Sequence, residues 1–231
     1  MSRRIDFNCD LGEGAGHDGE LMPWITSANI ACGAHAGDEA TMCATVSLAQ
    51  RHGVAIGAHP GFADRENFGR RELTLTAAEV QALVEWQVRA LQRIATVVHV
   101  KPHGALYNLA ARDPMIAAAV AAAVRAVDAR LVLFALRGSE LVRAGRSAGL
   151  RVAEEVFADR MYRVDGALTP RAEGGAVITD ETESAAQALR LVREGADTIC
   201  LHGDGAHAVA LVRRLNAELR QAGIEIRAFG V

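Results

Sequence analysis

Acids, imidazoles and an ammonium group recur in this sequence at the points where short apolar runs end. Asp10 lies just beyond a run at 5–8, His35 just beyond one at 28–32, and His59 directly after one at 55–58. Lys101 and His103 follow a run at 97–100, and His202 and Asp204 follow one at 198–201. Carboxylates beside imidazoles can move protons as general acids and bases, and the same groups bind divalent metals. Asp10, His35 and His59 are candidates for holding such an ion, although no local H-x-x-x-H spacing accompanies them.

A lysine inside a fold must be paired, or be needed by an anion, because desolvating an ammonium is costly. Lys101, in Val100-Lys101-Pro102-His103-Gly104, could clamp a carboxylate, stabilise an oxyanion or serve as a base of depressed pKa. A structural ion pair with Asp10 or Glu155 would satisfy it as well. Asp159-Arg160 supplies a second anion-binding arm, or an exposed surface pair. Cys32 and Cys200 lack a local nucleophile signature and read as packing residues.

The elements that must position these groups alternate regularly. Strand-like runs at 5–8, 28–32, 55–58, 97–100, 131–136, 152–157 and 198–201, with a further one at 225–229, are separated by helical patterns. Thr76 and Glu79 form a capping box ahead of a helix reaching about residue 94, with Val80, Leu83, Val84, Val88 and Leu91 on its apolar face. Pro114 sits in the first turn of an Ala-rich helix behind Asp113. Further helices are expected near 39–52, 138–148, 182–194 and 206–222, and Gly53, Gly149, Gly195 and Gly223 stand where left-handed C-caps belong. Strand alternating with helix means a parallel sheet.

Side-chain parity chooses the kind of sheet. In the first strand Asp6, Asn8 and Asp10 share one face against Ile5, Phe7 and Cys9. His99, Lys101 and His103 oppose Val98 and Val100, Asn29 opposes Ile30, and Thr198, Cys200 and His202 oppose Ile199 and Leu201. A doubly wound sheet is covered by helices on both faces and reads apolar throughout. One polar face instead suits a single-domain β/α barrel over residues 1–231, with ligands bound at the carboxyl ends of its strands. An open doubly wound sheet is the second choice.

Composition narrows the function. The chain has 231 residues, half of them hydrophobic, and a net charge of −3, which provides a large core and no basic footprint for nucleic acid. No apolar run approaches membrane-spanning length, no secretory pattern follows Met1-Ser2-Arg3-Arg4, and the four scattered cysteines read as free buried thiols of a cytoplasmic protein. Gly14-Ala15-Gly16-His17-Asp18-Gly19 fits G-x-G-x-x-G, with Asp38 about where a ribose-binding acid would stand. Asp10 and Glu13 would place negative charge beside a pyrophosphate there, so the segment reads as a glycine loop at the barrel mouth. No P-loop motif occurs.

Seven stretches together resemble the LamB/YcsF family, the A subunits of 5-oxoprolinase. They are Asp6-Phe7-Asn8-Cys9-Asp10-Leu11-Gly12-Glu13, the run from Ser27 to Asp38, Ile56-Gly57-Ala58-His59-Pro60-Gly61-Phe62, Phe68-Gly69-Arg70-Arg71, the run from His99 to Asn108, the run from Glu155 to Tyr162, and His202-Gly203-Asp204. They span nearly the whole chain. The sequence departs from the family pattern at Ala34, usually a bulky aromatic, at Glu39, often proline, and at Gly205-Ala206, usually Thr-Pro.

The resemblance implies a barrel of the glycoside hydrolase/deacetylase type. It also implies ATP-dependent opening of 5-oxoproline to glutamate, with ATP and Mg²⁺ as co-substrate and with separate B and C subunits. On that reading Asp10 and His59 orient or deprotonate water and His103 protonates the departing nitrogen. Lys101 and Arg160 hold the substrate carboxylate or the activated oxygen, and Asn8, Glu13, His35, Glu155, Asp159, His202 and Asp204 complete the substrate site. The alternatives are a stand-alone metal-dependent deacetylase or amidohydrolase, and a non-catalytic carboxylate- or sugar-binding regulator.

Overall fold

A computed structural model describes residues 3–171, 173–202 and 207–230. Strands β1 (Arg4–Leu11), β2 (Ser27–Ala31), β3 (Ala55–His59), β4 (His99–Val100), β5 (Val132–Leu136), β6 (Arg151–Phe157) and β7 (Thr198–His202) pair in parallel in chain order. β1 pairs with β7 on one side and β2 on the other, so the sheet closes into a barrel and the open alternative is excluded. The short β8 (Glu225–Ile226) joins the start of β1. The Ile5 carbonyl accepts from Arg227 N–H and the Phe7 carbonyl from Thr26 N–H, so β8 lies on the β2 flank of β1, before β2 begins.

Around the barrel run α1 (Asp18–Leu21), α2 (Glu39–His52), α3 (Ala77–Gln92), α4 (Gly104–Arg112), α5 (Pro114–Val127), α6 (Glu140–Ser147), α7 (Glu181–Arg193) and α8 (Ala208–Gln221). Local chemistry sets their ends. Thr76 and Glu79 form the expected capping box on α3, and Asp113 caps α5 with Pro114 in its first turn. Asp38 accepts from Thr41 N–H as the N-cap of α2, with Glu39 in the first turn where an acid suits the helix dipole. Gly53, Gly149, Gly195 and Gly223 all have positive φ. Helix α4 was not anticipated. No helix among the described residues is long and apolar enough to cross a membrane.

The parity reading holds. Ile5, Phe7, Cys9 and Leu11 are buried in the main core between sheet and helices. Inside the barrel, Val132, Phe134 and Ala153 form an apolar layer near the amino-terminal end, with Phe229 packed on it. Tyr107, Leu136, Phe157 and Cys200 form another apolar cluster. The buried polar groups converge in the lumen as well.

Candidate functional site

Lys101, the chain's single lysine, is the hub of the lumen. Its Nζ lies 2.9 Å from Asp10 Oδ1, 3.0 Å from Glu155 Oε1 and 2.9 Å from Cys200 Sγ, and 3.2 Å from Asn8 Oδ1. Asn8 donates to Glu155 Oε1 and Thr198 Oγ1, while Asn29 donates to Asn8 Oδ1 and Asp10 Oδ1. Burial opposes the ammonium, but Asp10, Cys200 and Glu155 outweigh it and keep the lysine charged well above its ordinary pKa. The neighbouring carboxylates thus favour the charged ammonium over a base of depressed pKa, and both ion pairs weighed from the sequence exist at once. Cys200 takes part in this network as a hydrogen-bond acceptor rather than only as packing. Of the free cysteines, Cys9, Cys32 and Cys200 are buried as expected, whereas Cys43 is exposed.

His99 lies deeper. Its Nε2–H donates to Asn29 Oδ1 at 2.8 Å and its ring stacks on Phe134. Burial holds its pKa down at about 3, so it is a neutral, satisfied core imidazole. Gly57 makes this possible, because a Cβ there would sit 2.0 Å from His99 Nε2.

At the carboxyl rim three imidazoles and two acids meet. Asp18 accepts from Gly12 N–H and folds the loop after β1 back on itself, with Glu13 on that loop. His59 Nδ1 is 2.7 Å from the Lys101 carbonyl, and His103 Nε2 is 2.9 Å from the Phe68 carbonyl. A carbonyl can only accept, so both of these nitrogens carry hydrogen. The other two nitrogens, His59 Nε2 and His103 Nδ1, face each other at 3.0 Å. Asp10 Oδ2 is 3.3 Å from His59 Nε2, and Glu13 Oε1 is 3.2 Å from His103 Nδ1. His35 Nε2 lies 3.1 Å from Glu13 Oε1, and its ring stacks flat on His103 at 3.8 Å.

Charge follows from this packing. Burial raises the carboxyl of Asp10, but His59 and Lys101 outweigh it and hold the acid ionised, well below the usual range. Glu13 is likewise raised by burial and brought far lower by His103 and His35. Burial pushes His59 towards the neutral form, and Asp10 and Glu13 reverse this, so its pKa lies above the ordinary imidazole value. His35, dominated by burial, falls to about 4, and His103 is lowered for the same reason. Phe68, which presents the carbonyl to His103, has φ 55°, a conformation that L residues with bulky side chains rarely adopt. Such strain persists where the surroundings over-determine it, and its place beside the histidines ties it to the site.

The LamB/YcsF family model matches residues 5–231. This chain belongs to the LamB/YcsF family. Relatives named as the A subunit of 5-oxoprolinase are similar over the whole length. The one from Geobacillus kaustophilus is 50% identical, covering 98% of this chain and 97% of that protein. The one from Tolumonas auensis is 48% identical over 97% and 99%. The crystal structure of a lactam utilization protein from Thermus thermophilus superposes with a TM-score of 0.91 at 44% identity, covering 98% of this chain and all of that one. A T48 deacetylase is similar in fold alone, with a TM-score of 0.53 at 15% identity over 97% of this chain and 87% of that one. The β/α barrel is thus shared with proteins far removed in sequence.

In this LamB/YcsF barrel a cavity of about 960 Å³ opens over the rim cluster. Asp10, Glu13, His59, Lys101, His103, Arg160 and His202 line it. Asn8 and Glu155 stand behind that wall against Lys101, His35 backs Glu13, and Asp159 accepts from His202. Arg160 is buried and donates to the Thr169 and Ala176 carbonyls, so it anchors the loop after β6 rather than pairing on the surface. Asp204 lies outside the described residues. Sequence reasoning missed Tyr107, which lines the cavity and donates to Glu155 Oε2 at 2.7 Å. Only recognition of α4 would have given that tyrosine an inward face.

The G-x-G-x-x-G segment leads into a helix of four residues, and Asp38 is a helix cap. Neither feature resembles a dinucleotide site.

Proposed function

We propose that this chain is the A subunit of an ATP-dependent 5-oxoprolinase and hydrolyses the cyclic amide of 5-oxo-L-proline to L-glutamate. The observation that carries the reading is its near-50% identity, end to end, with relatives of that name. The cavity supports it chemically. Amide hydrolysis needs a base for water and an acid for the departing nitrogen, and Asp10, His59 and His103 form one contiguous proton path. Asp10 and His59 take a proton from water as it attacks the carbonyl. The proton crosses from His59 Nε2 to His103 Nδ1 and leaves with the nitrogen as the ring opens.

Lys101 fixes Asp10 in place and keeps it ionised. Arg160 and His202, the latter on β7 beside Asp10 of β1, bound the space for the substrate carboxylate, and Arg70, Arg137 and Arg163 also line the cavity, the last two paired with Glu194 and Glu173. Guanidinium groups around the cavity suit a lactam oxygen carrying a phosphoryl group. ATP with Mg²⁺ would supply that group and give water a better electrophile. Without a P-loop, the phosphorylation step falls to the B and C subunits in the cytoplasm, and hydrolysis falls to this barrel.

The test is reconstitution with candidate B and C subunits, followed by glutamate release from 5-oxoproline and ATP. The complete system should turn over, and the Asp10→Asn complex should lose roughly 10²–10⁴-fold while assembling normally. Near-normal turnover with Asp10→Asn would remove the assigned chemistry. Absence of any turnover in the complete system would remove the substrate.

A further inference from the structure

With both imidazoles neutral, the rim cluster gathers lone pairs that only a shared proton or a bound cation can reconcile. His59 Nδ1 and His103 Nε2 both donate to carbonyls, so in the neutral form His59 Nε2 and His103 Nδ1 are bare lone pairs, yet they face each other at 3.0 Å. Glu13 Oε1, a third acceptor, stands 3.2 Å from His103 Nδ1 and 3.7 Å from His59 Nε2. Three lone-pair donors at such separations repel unless a proton or a metal ion sits among them.

We infer that His59 Nε2, His103 Nδ1 and Glu13 Oε1 form a binding site for one divalent transition-metal ion, open to the cavity. The spacing fits. Tetrahedral ligands at about 2.0–2.1 Å from an ion lie roughly 3.3–3.4 Å from one another, and the three edges here are 3.0, 3.2 and 3.7 Å. The surroundings fit too. Metal-binding imidazoles usually donate their second N–H to a carbonyl or carboxylate, which fixes the tautomer and aims the lone pair. Both imidazoles do so here, through the Lys101 carbonyl and the strained Phe68 carbonyl.

His35 belongs to the support rather than to the ligands, although its Nε2 lies 3.1 Å from Glu13 Oε1. Its Nδ1 is buried with no partner. If Nε2 bound a metal, Nδ1 would carry an orphaned N–H; with hydrogen on Nε2, His35 instead donates to Glu13 and orients it. A second possible cluster, Asp10 with Cys200 and His202, is already centred on a cation, because Lys101 Nζ sits 2.9 Å from both Asp10 Oδ1 and Cys200 Sγ. Two imidazoles and a carboxylate with an open position make a catalytic rather than a structural kind of site. Binding would expel the proton shared by the imidazoles to solvent. A chain loaded in this way could not also pass a proton from His59 to His103, so the ion would take the place of that relay and leave Asp10 as the base for water.

This inference stands on the cluster's geometry and does not depend on which amide is the substrate. The test uses the full chain, stripped with chelator and titrated with Co²⁺ and with Zn²⁺. Expected are one ion per chain, the visible absorption of a four- or five-coordinate cobalt centre, and a rise in melting temperature with Zn²⁺. Glu13→Gln and His103→Ala should each weaken binding by more than about 100-fold, and His35→Ala by about 10-fold with the cobalt spectrum retained. Cys200→Ser and the exposed-histidine variant His52→Ala should bind as the unaltered chain does. Glu13→Gln keeps the side chain's shape, so it decides the matter if His103→Ala does not fold. No stoichiometric binding of either ion, undiminished binding by Glu13→Gln, or loss confined to Cys200→Ser would each overturn the site.

Discussion

Lys101 touches Asp10, Glu155, Asn8 and Cys200 at once, and that crowding limits what a substitution there can report. Removing the ammonium strands two buried carboxylates, and breaking a buried pair in this way costs about 3–5 kcal/mol. Lys101→Met should therefore lower the urea midpoint severely before any loss of activity can be interpreted. Asp10→Asn leaves Glu155 to pair with the lysine and is the cleaner catalytic probe. Asp159 offers a pH test. Burial raises its carboxyl, but His202 outweighs this and depresses the pKa below the usual value near 4. A depressed carboxylate contributes stability that is complete above its unfolded pKa and is lost as pH falls through the folded one. Asp159→Asn should thus be less stable than the unaltered chain by about 1–3 kcal/mol at pH 7. Urea melts taken at successively lower pH, below about 4, should show the gap narrowing, because the unfolded carboxyl takes up a proton there before the depressed native one does.

Single strands and helices carry their own tests. β3 brings Gly57 against His99 of β4, and the absence of a side chain at Gly57 is what lets the imidazole enter the lumen. Gly57→Ala should force His99 off Asn29 and Phe134. Overpacking of this kind costs about 1–3 kcal/mol or somewhat more, readable as a shifted denaturation midpoint. On α3, Thr76→Ala removes the hydroxyl that accepts from Glu79 N–H and should cost about 1 kcal/mol by the same measurement. The two numbers differ because one side chain is locked in a filled interior and the other lies at a solvated helix end.

Closure of the barrel puts the two ends of the lumen to different uses. Near the amino-terminal end Phe229 packs on Val132, Phe134 and Ala153, while the acids and imidazoles occupy the carboxyl rim. Phe229→Ala should destabilise the whole barrel by about 1–3 kcal/mol, since the phenyl is only partly buried. Cobalt binding at the rim should be unchanged, because the Lys101 layer separates the two regions. A loss of cobalt binding in a folded Phe229→Ala chain would mean that the rim geometry depends on the far end. Burial at one end thus supplies stability, and the open rim supplies chemistry.

Alternation along a strand is a property of neighbouring residues, so the sequence alone determined that Asp6, Asn8, Asp10, His99, Lys101 and His202 share one face of a parallel sheet. Caps such as Thr76 with Glu79 and Asp113 ahead of Pro114 are equally local and were legible for the same reason. Helix α4, and with it Tyr107, was hidden because His103-Gly104 reads as a loop and the helix is fixed by packing above the rim. Only the tertiary structure decided which hydrogen each imidazole carries, since that depends on the carbonyls of Lys101 and Phe68, remote in sequence from His59 and His103. Residue types are written along the chain, but hydrogen-bond direction and distances of a few ångströms arise between strands joined by the closing of the barrel.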